Sequence, residues 1–226
     1  MASRSSYYHK LMNVKTISPT TQNKDKLTYG SINISYKLKK EFFRKTIHMM
    51  AAFVPFFYYF SQYLVMTILL SITFLYFISE VLRTRKKIYI PIISFITLIA
   101  AREKDRDRFI LGPITLSLGI FLSLTFFDYR SAVISIYALA FGDGVASLFG
   151  ETLGGWKIPL TFGKTFSGSC GCFLVLVIVF LSCGLNFYQG ILIALIASII
   201  EAFPTGDYDN FLIPVITGLL AQNLIL

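Results

Sequence analysis

Ser131 to Gly150 reads SAVISIYALAFGDGVASLFG, and this stretch decides the fold class. About 20 apolar residues carry a helix across a bilayer, and this run has that length with one charge, Asp143. Gly142, Ala146, Gly150 and Gly154 recur every four residues, a stripe along which a neighbouring backbone can approach closely. Packing explains the stripe but not Asp143. A carboxylate inside an apolar helix costs at least about 2.5 kcal/mol on the mildest insertion scale, so Asp143 is read as functional.

The rest of the chain repeats the pattern. Of 226 residues, 55% are hydrophobic and only 15% charged, with 22 Phe and 13 Tyr, a composition too apolar for a soluble domain. The reading is an all-α polytopic membrane bundle with about seven spans, near 45–61, 62–79, 109–127, 131–150, 167–185, 188–204 and 210–226. The apolar stretch 88–101 is too short to cross and is flanked by Arg83, Arg85, Lys86 and Lys87 and then by Arg102 and Lys104. It reads as an interfacial or re-entrant helix. Residues 1–40 are polar and basic and read as an uncleaved, disordered tail ahead of a membrane-embedded domain, 41–226.

Seven spans place the charges on one side. The tail, the 80–108 segment with eight Lys/Arg, the 143–166 loop and the 201–209 turn share a face, while the other holds only Asp128 and Arg130. The positive-inside rule makes the charged face cytoplasmic, in the endoplasmic reticulum of a eukaryote or the plasma membrane of a prokaryote. The net charge of +9 is thus a topology signal, and no nucleic-acid partner is expected. Cys170, Cys172 and Cys183 lack a second ligand cluster and read as small buried residues.

Four constellations lie on that face. Glu41, Arg44, Lys45 and His48 fall within a helical arc of roughly 100°. Asp143 lies between Gly142 and Gly144. Lys157-Ile158-Pro159 and Gly163-Lys164-Thr165 with Gly168 form a basic, glycine-bearing loop entering a helix, where backbone amides and a lysine suit phosphate. It is not a P-loop, because Ile158 stands where that motif needs glycine. Glu201, Asp207, Asp209 and Asn210 offer the hard oxygen ligands that Mg²⁺ accepts. Cations on phosphate oxygens, carboxylate-held magnesium and an oriented nucleophile are the parts of phosphoryl transfer, and residues of these types are present.

In order and spacing these segments resemble the membrane lipid kinases that include phytol kinase, dolichol kinase and CTP-dependent diacylglycerol kinase. The resemblance runs from about residue 41 to the C-terminus. It is carried by Arg44-Lys45-Thr46-Ile47-His48, Glu80 and Arg83, Arg102-Glu103-Lys104-Asp105, Gly142-Asp143-Gly144, Lys164-Thr165-Phe166-Ser167-Gly168 and Asp209-Asn210-Phe211. Many members carry Glu where this chain has Ser167, so no ligand role is implied there. The resemblance implies that CTP phosphorylates a membrane-dissolved alcohol, with Mg²⁺, at the cytoplasmic surface. Arg44, Lys45, Lys164, Thr165 and Gly168 would bind the nucleotide, and Asp143, Asp209 and Asn210 the metal. Asp143, His48 and Lys164 would be catalytic, with Glu80, Arg83, Arg102 and Glu201 as further candidates. A loop pattern similar to that of CDP-diacylglycerol synthases makes cytidylyl transfer the alternative enzyme reading, and a transporter the alternative of another class. On this reading Asp143→Asn abolishes turnover and leaves folding intact.

Overall fold

The structure, a computed structural model, describes residues 41–225 except 89, 92, 94–96, 98–108, 160, 162, 204, 205 and 207. The tail 1–40, Arg102 and Asp207 lie outside the described residues, as does most of the 88–101 segment, of which Pro91, Ile93 and Thr97 are helical. The described chain is helical and, among those residues, contains no strand beyond one isolated bridge.

Helix α1 covers 41–50 and passes through a 3-10 turn, Ala51–Phe53, into α2, Val54–Phe60. The tighter turn stands just ahead of Pro55, whose missing N–H is tolerated in the first turn of a new helix. Helices α3 (Gln62–Lys86), α4 (Gly112–Phe126), α5 (Tyr129–Leu153), α6 (Phe166–Ser182), α7 (Phe187–Ala202) and α8 (Asp209–Ile225) follow. Each expected span thus has a helix at its position. Two of them, α3 and α5, are long and apolar enough to cross a membrane by length and composition, and α4, α6, α7 and α8 are shorter apolar helices.

Helix α5 is the axis. It packs against α4, α6, α7, α8, α2 and the 3-10 turn, and its Ile134, Ile136, Ala138, Leu139 and Ala140 are fully buried. Asp128 caps its start, accepting from the Arg130 and Ser131 amides at 3.1 Å, and Gly154 ends it at φ 63°, a conformation costly for other residues. Gly154 therefore leaves the small-residue stripe, since nothing lies within 4 Å of a Cβ built there. The stripe is used lower down. A Cβ on Gly168 of α6 would stand 2.6 Å from the Ala146 carbonyl, so α5 and α6 meet nearly backbone to backbone. Helix α8 approaches α4 the same way. Pro214 has no N–H for the Asn210 carbonyl, and that oxygen faces Gly119, where a Cβ would come within 2.4 Å. Of the cysteines, only Cys172 is buried; Cys170 faces outward from α6.

The turns opposite the charged loops are tied together. Arg130 donates to the Gly184 carbonyl at 2.9 Å, the Asp128 amide to Gln222 at 3.0 Å, and Gln189 to the Leu224 carbonyl at 2.5 Å. Asn186 and Gln189 form a capping box at the start of α7, and Tyr129 donates to the Pro55 carbonyl at 3.1 Å.

Helix α3 runs seven residues past its expected end because Glu80 and Arg83 are buried as a pair. Arg83 Nε donates to Glu80 Oε2 at 2.8 Å and Nη2 to Oε1 at 2.5 Å, while the Ile110 amide donates to Oε1 at 2.7 Å. This pins the start of α4 to α3. Neither residue lines the cleft described below, so the structure does not bring Glu80 and Arg83 to the candidate site. Glu80→Leu is expected to destabilise the protein by about 3 kcal/mol, because it strips a buried guanidinium of its carboxylate, and to leave turnover intact below the melting temperature. Thermal unfolding beside a turnover assay checks both halves.

Candidate active site

The loop that enters α6 folds as a short hairpin. Ile158 N–H donates to the Lys164 carbonyl and Phe166 N–H to the Trp156 carbonyl, both at 2.9 Å, around a Lys157–Thr165 bridge. Gly155 at φ 113° and Gly163 at φ 100° let the chain reverse. Thr165 caps α6, its Oγ1 accepting from Gly168 N–H at 3.2 Å. The hairpin holds Lys164 over the bundle. Lys164 Nζ donates to Glu201 Oε1 at 2.6 Å and also to the Glu201 carbonyl, joining the hairpin to the end of α7.

A cavity of about 540 Å³ opens at this end, among the start of α1, the last turns of α5, the hairpin, and the ends of α7 and α8 that face it. Its charged lining is Glu41, Arg44, Glu151, Lys164, Glu201 and Asp209, and Thr165, Gly150 and Gly168 form part of its wall. Arg44 donates to Glu41 one turn earlier. Asp209, the first residue of α8, is buried.

Behind this lining, one turn below Ala146 and Ser147, lies a buried charged cluster. Lys45 Nζ sits 2.5 Å from Asp143 Oδ2 and 4.0 Å from Glu41, and only 2% of Lys45 is exposed. His48 Nδ1 is 3.3 Å from the same Asp143 oxygen. The arc read on α1 is thus divided: Glu41 and Arg44 line the cavity, and Lys45 and His48 turn inward to Asp143. Such a pair is retained in a low-dielectric interior only because each charge satisfies the other.

Asn210 is anchored by its amide, which donates to the Gly112 carbonyl and Thr115 Oγ1 at 3.3 Å, and its Oδ1 is buried without a hydrogen-bond partner. Among the described residues no three His, Cys, Asp or Glu side chains gather as a metal-binding group. Mg²⁺ does not need such a cage, since it commonly takes one or two carboxylates, waters and substrate phosphates. Asp143, Asp209 and the unpartnered amide oxygen of Asn210 fit that donor set.

Sequence reasoning named Glu201 and Lys164 but not their pairing, and it passed over Glu151. Both belong to the cavity, and the signal for the pairing is three-dimensional. Thirty-seven residues separate the partners.

Comparison with known proteins follows the same lines. The chain is 30% identical over 196 residues to an uncharacterised protein of Methanocaldococcus jannaschii, covering 82% of this chain and 95% of that one. It is 28% identical over 140 residues to phytol kinase 1, chloroplastic, of Arabidopsis thaliana, covering 53% of this chain and 45% of the plant protein. To a probable phytol kinase 1, chloroplastic, of Glycine max it is 30% identical over 141 residues, with 53% and 46% covered. The chain therefore spans a little under half the length of the phytol kinases it matches. No family model and no solved structure matches it. The chain belongs to the polyprenol kinase family, the family of the phytol kinases.

Proposed function

We propose that the protein is a CTP-dependent lipid-alcohol kinase that works at the cytoplasmic surface of a membrane. The observation that carries the reading is the cavity at the charged end of the bundle, where Arg44 and Lys164 face Asp209 and Glu151 above the Lys45–Asp143–His48 cluster. A polyphosphate and a lipid hydroxyl need such a meeting place.

A seven-span topology is supported by where the exposed aromatic residues fall. Phe42, Trp156, Phe166, Phe203 and Tyr208 ring the cavity end, and Tyr59, Phe60, Tyr63, Phe126 and Tyr188 ring the other. Trp and Tyr collect at a bilayer's two interfaces, and Trp156 and Tyr208 stand at one end and Tyr59, Tyr63 and Tyr188 at the other. Between them α3 has a mean hydropathy of 2.0 over its most apolar window and leaves most of that window exposed, a surface suited to lipid rather than water. The shorter helices fit as well: 17 residues of α6 rise about 26 Å, within reach of a locally thinned bilayer.

The geometry supports these residue roles. Arg44 and Lys164 meet the phosphates, and Lys164 exchanges its Glu201 partner for a phosphate oxygen. Thr165 and Gly168 shape the wall at the start of α6, where the helix dipole favours an anion. Lys45 fixes Asp143 from behind and neutralises it in the apolar interior. Asp143, Asp209 and Asn210 would hold Mg²⁺, which, when bound, neutralises charge on the transferring phosphoryl group. The alcohol oxygen bonds to the γ-phosphorus, the bond from that phosphorus to the β–γ bridging oxygen breaks, and the hydroxyl proton passes to Asp143 or its partner His48. The products are a lipid phosphate and CDP.

The decisive experiment incubates purified protein in lipid with γ-labelled CTP or ATP, Mg²⁺ and a panel of phytol, polyprenol and diacylglycerol. Label should enter the organic phase as a lipid phosphate. With a lipid phosphate added to the panel, a CDP-lipid formed from it with release of pyrophosphate would establish cytidylyl transfer instead, and solute uptake without turnover would establish a transporter. Lys164→Ala is expected to raise the KM for CTP about tenfold to a hundredfold, the scale of one lost charge-assisted contact. An unchanged KM and kcat would remove Lys164 from the nucleotide site.

A further inference from the structure

The hairpin that carries Lys164 has a second side. Trp156 is 91% exposed, and Leu153 and Phe166, at the two helix ends the hairpin joins, are 69% and 64% exposed. Lys157 beside them is exposed too. The base of the hairpin is firm. Ser167 donates to the Gly154 carbonyl, and its Oγ is 3.1 Å from Thr165 Oγ1. An indole, a leucine and a phenylalanine bared together on a clamped loop would be costly in water, at about 25 cal/mol per Å² of apolar surface. At the boundary between headgroups and acyl chains the same three side chains are at home, and an adjacent lysine finds lipid phosphates. The patch is continuous with the exposed apolar faces of α5 and α6, through Phe149 on the one and Leu174 on the other.

We propose that the 154–166 hairpin is an interfacial foot. Trp156, Leu153 and Phe166 rest in the headgroup–acyl boundary of the bilayer that holds the helices, and Lys157 rests on its phosphates. The occupant is the membrane surface, as the continuity of the patch with α5 and α6 and the charge of Lys157 require. The foot sets the height of Lys164, whose ammonium leaves the same hairpin on the cavity side, so that the cavity mouth opens at headgroup depth. The proposal rests on the membrane reading of the bundle and not on the kinase reading.

Trp156 is the only tryptophan in the chain, so its fluorescence reports this site alone. The test uses the full chain reconstituted in phosphatidylcholine–phosphatidylglycerol vesicles without nucleotide. Lipids brominated high on the acyl chain should quench the emission strongly, and aqueous iodide should quench it several-fold less than free tryptophan. In a Leu153→Ser, Phe166→Ser double variant, checked for native helicity by circular dichroism, iodide quenching should rise and bromolipid quenching fall. Free access of iodide with no bromolipid effect would put the hairpin in water and overturn the proposal. Protection from both quenchers that disappears on diluting the protein in lipid would mean that a second copy covers the patch, and would overturn it equally. Protein that remains in the aqueous fraction without detergent would remove the membrane reading itself, whatever the outcome of the kinase assay.

Discussion

Asp143→Asn is expected to cut turnover by about a thousandfold and, at the same time, to destabilise the fold. The first effect follows from its place. Asp143 is a buried carboxylate and one of the proposed metal ligands, and removing one organised electrostatic group from such a site costs about 10² to 10³ in kcat. The second effect was not legible in the sequence, which suggested a substitution neutral for folding. Lys45, 2% exposed, has its ammonium 2.5 Å from Asp143, and an amide leaves that charge without its counter-ion. Breaking a buried pair from one side costs about 3 to 5 kcal/mol. The two effects separate in a double variant. Lys45→Met with Asp143→Asn removes both charges and should recover most of the stability while turnover stays lost. Thermal unfolding in detergent and a lipid kinase assay on the same preparations read the two. A fully active Asp143→Asn protein would remove the centre of the proposed site, and a double variant no more stable than the single one would mean that the pair does not organise α1 against α5.

Gly168→Ala should be the most damaging addition of one methyl group to the α5–α6 contact. Its Cβ would meet the Ala146 carbonyl at 2.6 Å and Thr165 Oγ1 at 3.2 Å, and a backbone oxygen inside a helix cannot turn aside as a side chain can. The helices must part, at about 2 to 3 kcal/mol for overpacking of this kind. The displacement also carries the Thr165 cap and Lys164 away from Asp143, so the KM for nucleotide should rise together with the loss of stability. Gly142→Ala is the control on the same pair of helices. There the Cβ meets only the Leu176 side chain at 3.3 Å and Cys172 at 3.4 Å, which can yield, and the cost should stay below about 1 kcal/mol. If unfolding measurements gave equal losses for the two alanines, close backbone approach at Gly168 would not be what holds α5 to α6.

Apolar runs are a strong signal, and the helix positions were legible from them. The 131–150 reading lies within Tyr129–Leu153, and 167–185 overlaps Phe166–Ser182. What ran past the runs was less so. Helix α3 continues through charged residues to Lys86 because Glu80 and Arg83 neutralise each other against the Ile110 amide, a compensation a hydropathy pattern counts as two penalties. The four-residue stripe was legible at Ala146 and Gly150, but Gly154 looked like its continuation when it is the helix stop, since spacing cannot distinguish a packing glycine from one at positive φ. For the candidate site, the residue types were readable and the partnerships were not. Whether Lys45 or Arg44 would turn toward Asp143, and that Lys164 would find Glu201, depends on how helices distant in sequence are rotated against one another. No single-chain periodicity carries that rotation.

The hydrogen bonds among the turns at Asp128, Gly184, Asn186 and Gln222 form a knot at one end of the bundle. Beyond the knot, leverage grows with distance. A helix of 17 residues rises about 26 Å, so a tilt of about five degrees at the bound end swings the other end by about 2 Å. That is wide enough to change whether an alkyl chain passes between two helices, yet it asks no bond at the knot to break. On the lipid-alcohol kinase reading proposed above, entry and exit of the substrate can then be a matter of splay between helices that the cavity-end contacts, Lys164 to Glu201 and Asn210 to Gly112, do not bridge, with the fastening untouched.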